Sequence, residues 1–293
     1  MSLLGQGAFG KVFKEKIGGV TCAVKRIKNF DQEAMKEVVT LVQLDSKYII
    51  RLRGFLLEDR DRQLCIIMEY ADRGTFADFV VGEALKTHTM CFKEHSIWRG
   101  LRHLALALSY LHNFRPQPIL HRDLKPDNIL GVGQRGGGFF WKLADFGLAT
   151  LLSEDAKGNY YTAGGAGTPT YMAPEVWADY QSYSFGADLW SLGCVLVFRC
   201  NNGRHLFFEG KDVLRWRGAV KNTLAPSHHT TSSSYSSGLV QLVARLLDPN
   251  PKLRLSADQV LAECTMERMS PPRRRTGEEN RLGPKILMRK TSG

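Results

Sequence analysis

Near residue 70 the apolar residues of this chain change their spacing, and that change limits the fold more than any other feature. Upstream, short β-prone runs stand around turns: LLGQGAFGKVFKEKI, then GG, then VTCAVKRI, and later YIIRLRGFLL and QLCIIMEY joined by the polar EDRDR. Runs of this length bounded by turn residues read as strands. One interruption is helical, because Ala34, Val38, Leu41 and Val42 fall at helical spacing behind Asp31, a residue suited to cap a helix start. Downstream of YADRG the period lengthens. Ile97, Leu101, Leu104, Leu108 and Leu111 recur every three or four residues, one buried face of a long helix. SGLVQLVARLL and SADQVLAEC repeat helical spacing behind serine caps, and NILGV and FFWKLAD flank the glycine-rich GQRGGG like the arms of a hairpin. A small strand-rich unit with one helix, followed by a mainly helical one, predicts an α+β chain in two lobes.

The length of 293 residues exceeds a typical single domain and suits one large bilobed unit or two domains. No apolar run approaches the roughly 20 residues that span a bilayer; LWSLGCVLVF is interrupted by Ser191 and Gly193. The start lacks the basic-then-apolar pattern of a secretion signal. Six cysteines, at 22, 65, 91, 194, 200 and 264, show neither metal-ligand pairing nor disulfide-rich density. They read as reduced thiols of a cytoplasmic or nuclear protein, with no membrane insertion. Net charge is +11, of which the eight Lys/Arg and three Glu from Thr265 onward supply +5. That tail, residues 265–293, has little apolar periodicity and reads as disordered. PSHHTTSSSYSSG (226–238) is a polar low-complexity loop, and no internal repeat is found.

Four constellations carry chemistry. HRDLKPDN (121–128) packs two basic side chains, a histidine, two acids and an amide into a polar loop between a helix and a short strand. GQGAFGKV (5–12) matches G-x-G-x-x-G-x-V, but a dinucleotide-binding unit needs a helix directly after its glycines. Here KVFKEKI is β-like, so a glycine hairpin whose amides approach phosphates fits better. Lys25, in CAVK, is an odd buried-strand choice without an anionic partner; Glu37 on the following helix offers one, with Glu33 one turn earlier as the alternative. KLADFG (142–147) then puts Asp145 between an apolar strand and a glycine, where a carboxylate can face a metal ion.

With GTPTYMAPE (167–175) and DLWSLG (188–193) the series is complete and in order, and residues 3–264 resemble a eukaryotic-type serine/threonine protein kinase. The resemblance implies the bilobal protein kinase fold over residues 1–264: a β-rich lobe over about 1–68, a hinge at 69–74 and a helical lobe over 75–264. It also implies ATP as phosphoryl donor, Mg²⁺ (with Mn²⁺ as the alternative), and protein serine or threonine hydroxyls as acceptors. By motif position, Asp123 is the catalytic base, Lys125 neutralises the transferring phosphoryl group, and Asn128 and Asp145 hold metal. Lys25 contacts the α/β-phosphates and pairs with Glu37. Gly5, Gly7 and Gly10 cover the phosphates; Val12, Ala23 and Leu130 enclose adenine, and Met68, Glu69 and Ala71 belong to the hinge segment that hydrogen-bonds it. Thr168 is expected to hydrogen-bond into the catalytic loop, Glu175 to pair with Arg254, and Asp188 to brace that loop's backbone. His121 packs, and Arg122 is placed to receive a phosphate on the segment between DFG and APE, with Thr162 the first-choice acceptor.

Leu148 after DFG implies a serine preference, and Thr75 in DRGT implies no strong demand for upstream arginine. Three features depart from the family pattern: the start almost at the glycine loop, consistent with a longer parent protein; the insert VGQRGGGFF; and NNGRHLFFEG (201–210). A pseudokinase scaffold is disfavoured because Lys25, Asp123, Asn128 and Asp145 are all present, and a nucleic-acid-binding module because the basic tail lacks interleaved aromatics.

Overall fold

The computed structural model describes residues 1–7, 10–58, 62–87, 92–134, 136–154, 160–161, 167–178, 184–207, 210–216, 224 and 235–269. Strands β1 (Ser2–Gly7), β2 (Gly10–Ile17), β3 (Val20–Lys28), β4 (Leu52–Glu58) and β5 (Gln63–Glu69) form one antiparallel sheet in the order β1-β2-β3-β5-β4. Helix α1 (Gln32–Gln43) lies between β3 and β4 in the chain and starts at Asp31, whose carboxylate accepts the Ala34 amide at 3.0 Å. That bond satisfies one of the donors a helix start leaves orphaned. Val38 and Leu41 are buried as the spacing predicts, but Val42 is 62% exposed. A step of roughly 100° per residue puts it at the margin of the stripe rather than its centre.

The run YIIRLRGFLL is not all strand. β4 begins only at Leu52, because the preceding residues cross to the second lobe: the Ile50 amide donates to Leu143 O at 2.8 Å and the Leu143 amide to Tyr48 O at 2.9 Å. That lobe contains α2 (Phe76–Thr87), α3 (Glu94–His112), β6 (Ile119–Leu120), β7 (Ile129–Gly133), β8 (Phe139–Leu143), β9 (Thr150–Leu151), α4 (Pro174–Ala178), α5 (Phe185–Cys200), α6 (Ser237–Leu246) and α7 (Ala257–Met269). The five predicted apolar positions of α3 are all buried. Helix α5 is buried from Ala187 to Cys200 and forms the centre on which the loop 121–128 rests. β7 and β8 pair as the expected hairpin around the glycine-rich turn, and β6 pairs with β9.

The expected start of the disordered tail at Thr265 is corrected, since α7 continues through Met269 and Thr265 Oγ1 donates to Leu261 O at 2.9 Å. Charge counted from residue 265 mixed a helix end with the PPRRR run that follows it. Residues 270–293 lie outside the described residues, as does most of the 226–238 loop. Cys22, Cys65, Cys194, Cys200 and Cys264 are buried free thiols, while Cys91 is not among the described residues. Among the described residues no helix is long and apolar enough to cross a membrane.

Candidate active site

Strand register builds the upper wall of the cleft between the lobes. Val12 faces Lys25, and Ala23 faces Met68. Directly opposed and alternate residues share one face of a sheet, so Val12, Ala23, Lys25 and Met68 lie on the same side. Leu130 joins from β7, which a bridge to Thr75 and two hydrogen bonds (Arg73 N to Gly131 O, 3.0 Å; Gly131 N to Gly74 O, 2.9 Å) tie to the segment after β5. Ala71 lies on that segment, half-buried. The Glu69 amide is occupied, donating to Arg51 O at 3.0 Å, and its carboxylate accepts the Arg51 amide and the Lys142 ammonium. The Glu69 amide is therefore not available to a nucleotide.

The β1–β2 hairpin closes with Gly7 opposite Gly10. Gly10 has φ +130°, and a Cβ there would lie 2.4 Å from Arg26 O, so glycine is obligatory. At Gly5 and Gly7 a Cβ would meet nothing within 4 Å, which leaves that side of the backbone approachable. A cavity of about 920 Å³ includes Gly7, Gly10, Lys11, Arg26, Glu37 and Leu148 in its lining. Val12, Ala23, Lys25 and Leu130 are absent from its lining, and Lys11, Phe13 and Arg26 alternate with Val12 and Lys25, so it opens on the other face of the sheet. Ala8 and Phe9 at the hairpin tip lie outside the described residues.

Below the hairpin sits a buried charge cluster. Lys25 Nζ is 2.7 Å from Glu37 Oε2 and 2.8 Å from Asp145 Oδ1, so the lysine joins α1 to the start of the segment after β8. Burial pulls the Lys25 ammonium down, but the two carboxylates outweigh it and the net shift is upward. Burial pushes Asp145 up, yet Lys25 outweighs that and holds the carboxyl below its ordinary value. For Glu37 burial dominates and the shift is upward, with Lys25 opposing. Asp145 has φ +61° and Arg122 has φ +64°, sparsely populated backbone that the surrounding packing must enforce. Phe146, fully buried against the His121 ring, supplies part of that packing.

The loop 121–128 converges on one carboxylate. Asp123 Oδ1 accepts from Thr168 Oγ1 at 2.7 Å; Oδ2 is 2.8 Å from Lys125 Nζ and accepts Asn128 Nδ2 at 2.9 Å. Lys125 also donates to Thr168 Oγ1 at 2.8 Å. The loop's backbone is pinned from α5, where Asp188 accepts the His121 and Arg122 amides, both at 3.0 Å. Arg122 Nε donates to Leu148 O at 2.7 Å, and Arg254 grips Glu175 bidentately at 2.6 and 2.7 Å. Thr162 lies outside the described residues. Three groups escaped the sequence reading: His112, 3.0 Å from Asp188 Oδ2; Lys142, paired with Glu69; and the direct Lys25–Asp145 contact. No local pattern marks them, because each pair is joined only by the packing of elements far apart in the chain.

With Asn128 Nδ2 committed to Asp123, the Asn128 side-chain oxygen and the partly exposed Asp145 carboxylate are the oxygen donors these two motifs offer a cation. Among the described residues no group of three or more His, Cys, Asp or Glu side chains could hold a metal by itself. Two oxygen donors suit a hard cation that keeps water and phosphate oxygens as its other ligands.

The family model for the protein kinase domain matches residues 1–264. Serine/threonine-protein kinase Nek6 of Oryza sativa subsp. japonica is 31% identical over 88% of this chain and 46% of its own length. Probable serine/threonine-protein kinase nek3 of Dictyostelium discoideum is 32% identical over 88% of the chain and 22% of its own. Serine/threonine-protein kinase ULK1 of Homo sapiens is 34% identical over 92% of the chain and 26% of its own. The chain thus spans less than half the length of these relatives.

Proposed function

Because the chain belongs to the protein kinase domain family, we propose that it transfers the γ-phosphoryl group of ATP to serine and threonine hydroxyls of protein substrates. The observation that carries this reading is the pairing of two charge clusters: Lys25 with Glu37 and Asp145, and Asp123 with Lys125, Thr168 and Asn128. Lys25 is held by two carboxylates where α/β-phosphates would lie, beside the amides of the Gly5–Gly10 hairpin. Asp123, fixed by its three partners, orients the acceptor hydroxyl and takes its proton as the oxygen–phosphorus bond forms and ADP leaves. Lys125 offsets charge on the transferring group, so positioning and fixed charge supply most of the rate. A divalent metal belongs to the chemistry of this family; Mg²⁺, with Mn²⁺ as the alternative, would be held by Asn128 and Asp145 and would neutralise phosphate charge. Val12, Ala23 and Leu130 enclose the adenine beside the Met68–Ala71 backbone. Buried free thiols support a reducing setting, the cytoplasm or nucleus.

The test is radiolabelled phosphate transfer to generic protein substrates and to a serine/threonine peptide array. Asp145→Asn should abolish transfer, and Asp123→Ala should lower turnover by about 10²–10⁴-fold with nucleotide affinity nearly unchanged. Leu148 leads us to expect serine over threonine among the accepted peptides. Full transfer in excess chelator, or wild-type turnover in both variants, overturns the reading; nucleotide binding without transfer would leave a scaffold.

Regulation by phosphate belongs to the same reading. A phosphate on Thr162 would add roughly −1.5 to −2 charge, and Arg122, already bound to Leu148 O, would connect it to the catalytic loop. Phosphosite mapping of active protein should find Thr162 modified, and Thr162→Ala and Arg122→Ala should both lose turnover. An unmodified Thr162 with wild-type rates in both variants removes the switch.

A further inference from the structure

Four Lys or Arg side chains are buried among the described residues, and three of them, Lys25, Lys142 and Arg254, are ion-paired. Arg199, at the end of α5, is not. It is 5% exposed, and its guanidinium carbon lies 3.4 Å from the Phe92 ring centroid and 5.0 Å from that of Phe79. Nη2 reaches Ser96 Oγ at 3.5 Å, while Nη1 is buried with no hydrogen-bond partner. Ser96 cannot do more, since its hydroxyl donates to Lys93 O at 2.7 Å. A cation–π cage recovers part of the cost of burying the charge, but an unmade hydrogen bond on a buried charged group costs about as much. Burial pushes the guanidinium down to about 10, so it stays charged at neutral pH.

The same side chain lines a cavity of about 90 Å³ between α2, α3, α5 and β8, walled by Phe76, Phe79, Leu104 and Trp141, with the exposed Arg99 on its lining. Its walls are aromatic and aliphatic apart from the two arginines and Ser96. We infer that this cavity is a binding site for a small organic carboxylate, whose oxygen accepts from Arg199 Nη1 and whose apolar body fills the aromatic wall. A water molecule would satisfy Nη1 but would leave the apolar wall unfilled. A phosphate dianion would need several more donors than the site offers. An apolar cavity of roughly 150 Å³ is known to hold benzene, so a volume of about 90 Å³ sets the scale at a short-chain acid. The site is independent of the nucleotide cleft and of the phosphoryl-transfer reading.

The test uses the full chain with the nucleotide cleft saturated by a non-hydrolysable ATP analogue, at fixed ionic strength. Propionate and butyrate are titrated in thermal-shift and saturation-transfer NMR experiments, with 1-butanol as the neutral counterpart. A saturable rise in Tm with propionate or butyrate that exceeds the rise with 1-butanol supports the site. Arg199→Met should weaken the bound acid by roughly ten- to a hundredfold, the worth of one charge-assisted hydrogen bond. Arg99→Gln, at an exposed position, should weaken it less. Absence of a saturable shift with either acid, equal shifts with butyrate and 1-butanol, or unchanged affinity in folded Arg199→Met overturns the assignment. If Arg199→Met does not fold, the comparison of acid with alcohol in the unmodified protein decides.

Discussion

Asp188 illustrates what one buried carboxylate does here. Its oxygens accept two backbone amides of the catalytic loop and face His112 Nε2, which must act as donor because an ionised carboxylate only accepts. Burial alone would raise its pKa, but the hydrogen bond and charge of His112, with the His121 contributions, outweigh it and the net shift is downward. An acid with a depressed folded pKa contributes stability that is complete above its ordinary value of about 4 and disappears as pH falls through the folded value. Asp188→Asn should therefore be less stable than wild type at pH 7, with the gap beginning to narrow as pH falls below about 4. Asp188→Ala should cost about 3–5 kcal/mol at pH 7, as expected when a buried charge partner is removed. Denaturant melts at pH 7, 5 and 3.5 check this; a pH-independent gap for Asn would mean that the charge is not what matters. The identity of Asp188 was legible from DLWSLG, whereas its partner His112 was not: 76 residues separate them.

At the scale of elements, the glycine hairpin separates two roles that one motif hides. Gly10 is fixed by sterics against Arg26 O, whereas Gly5 meets nothing. Gly10→Ala should destabilise the sheet by about 1–3 kcal/mol, the usual cost of a forbidden backbone geometry. Gly5→Ala should stay within about 0.5 kcal/mol of wild type, as for an unconstrained surface site. Both should raise KM for ATP, because both crowd the amides that approach the phosphates. Melting curves and ATP titrations distinguish them; equal stability loss would show that Gly5 is packed in solution. Most elements could be read from the spacing of apolar residues, including α1 behind Asp31 and the buried face of α3. Boundaries were less legible. β4 begins late because Ile49 and Ile50 are drawn into contacts with Leu143, and Val42 faces solvent at the margin of its stripe.

For the molecule as a whole, Arg254 is a clamp, with a side chain wholly buried against Trp190, two bonds to Glu175 and donations to Asp248, Pro249 and Gly186 carbonyls. It links the segment after α6 to α4 and the start of α5. Arg254→Met leaves Glu175 unpaired and should cost about 3–5 kcal/mol. Arg254→Lys should not restore it, since an ammonium cannot reproduce the planar fork; Tm measurements on both check this, and full recovery by lysine would refute the clamp. The sequence by itself determined the α+β organisation and the residue types of the site, because apolar period and short motifs act within a few residues of each other. Thr168 and Glu175 could be paired with distant partners only through the family resemblance. What the tertiary structure decided is which distant groups share one charge: Lys25 between Glu37 and Asp145, His112 on Asp188, Lys142 on Glu69, and Arg199 Nη1 left without a hydrogen-bond partner. Such pairings depend on how helices and strands far apart in the chain pack to remove charges from water, and no local spacing encodes that.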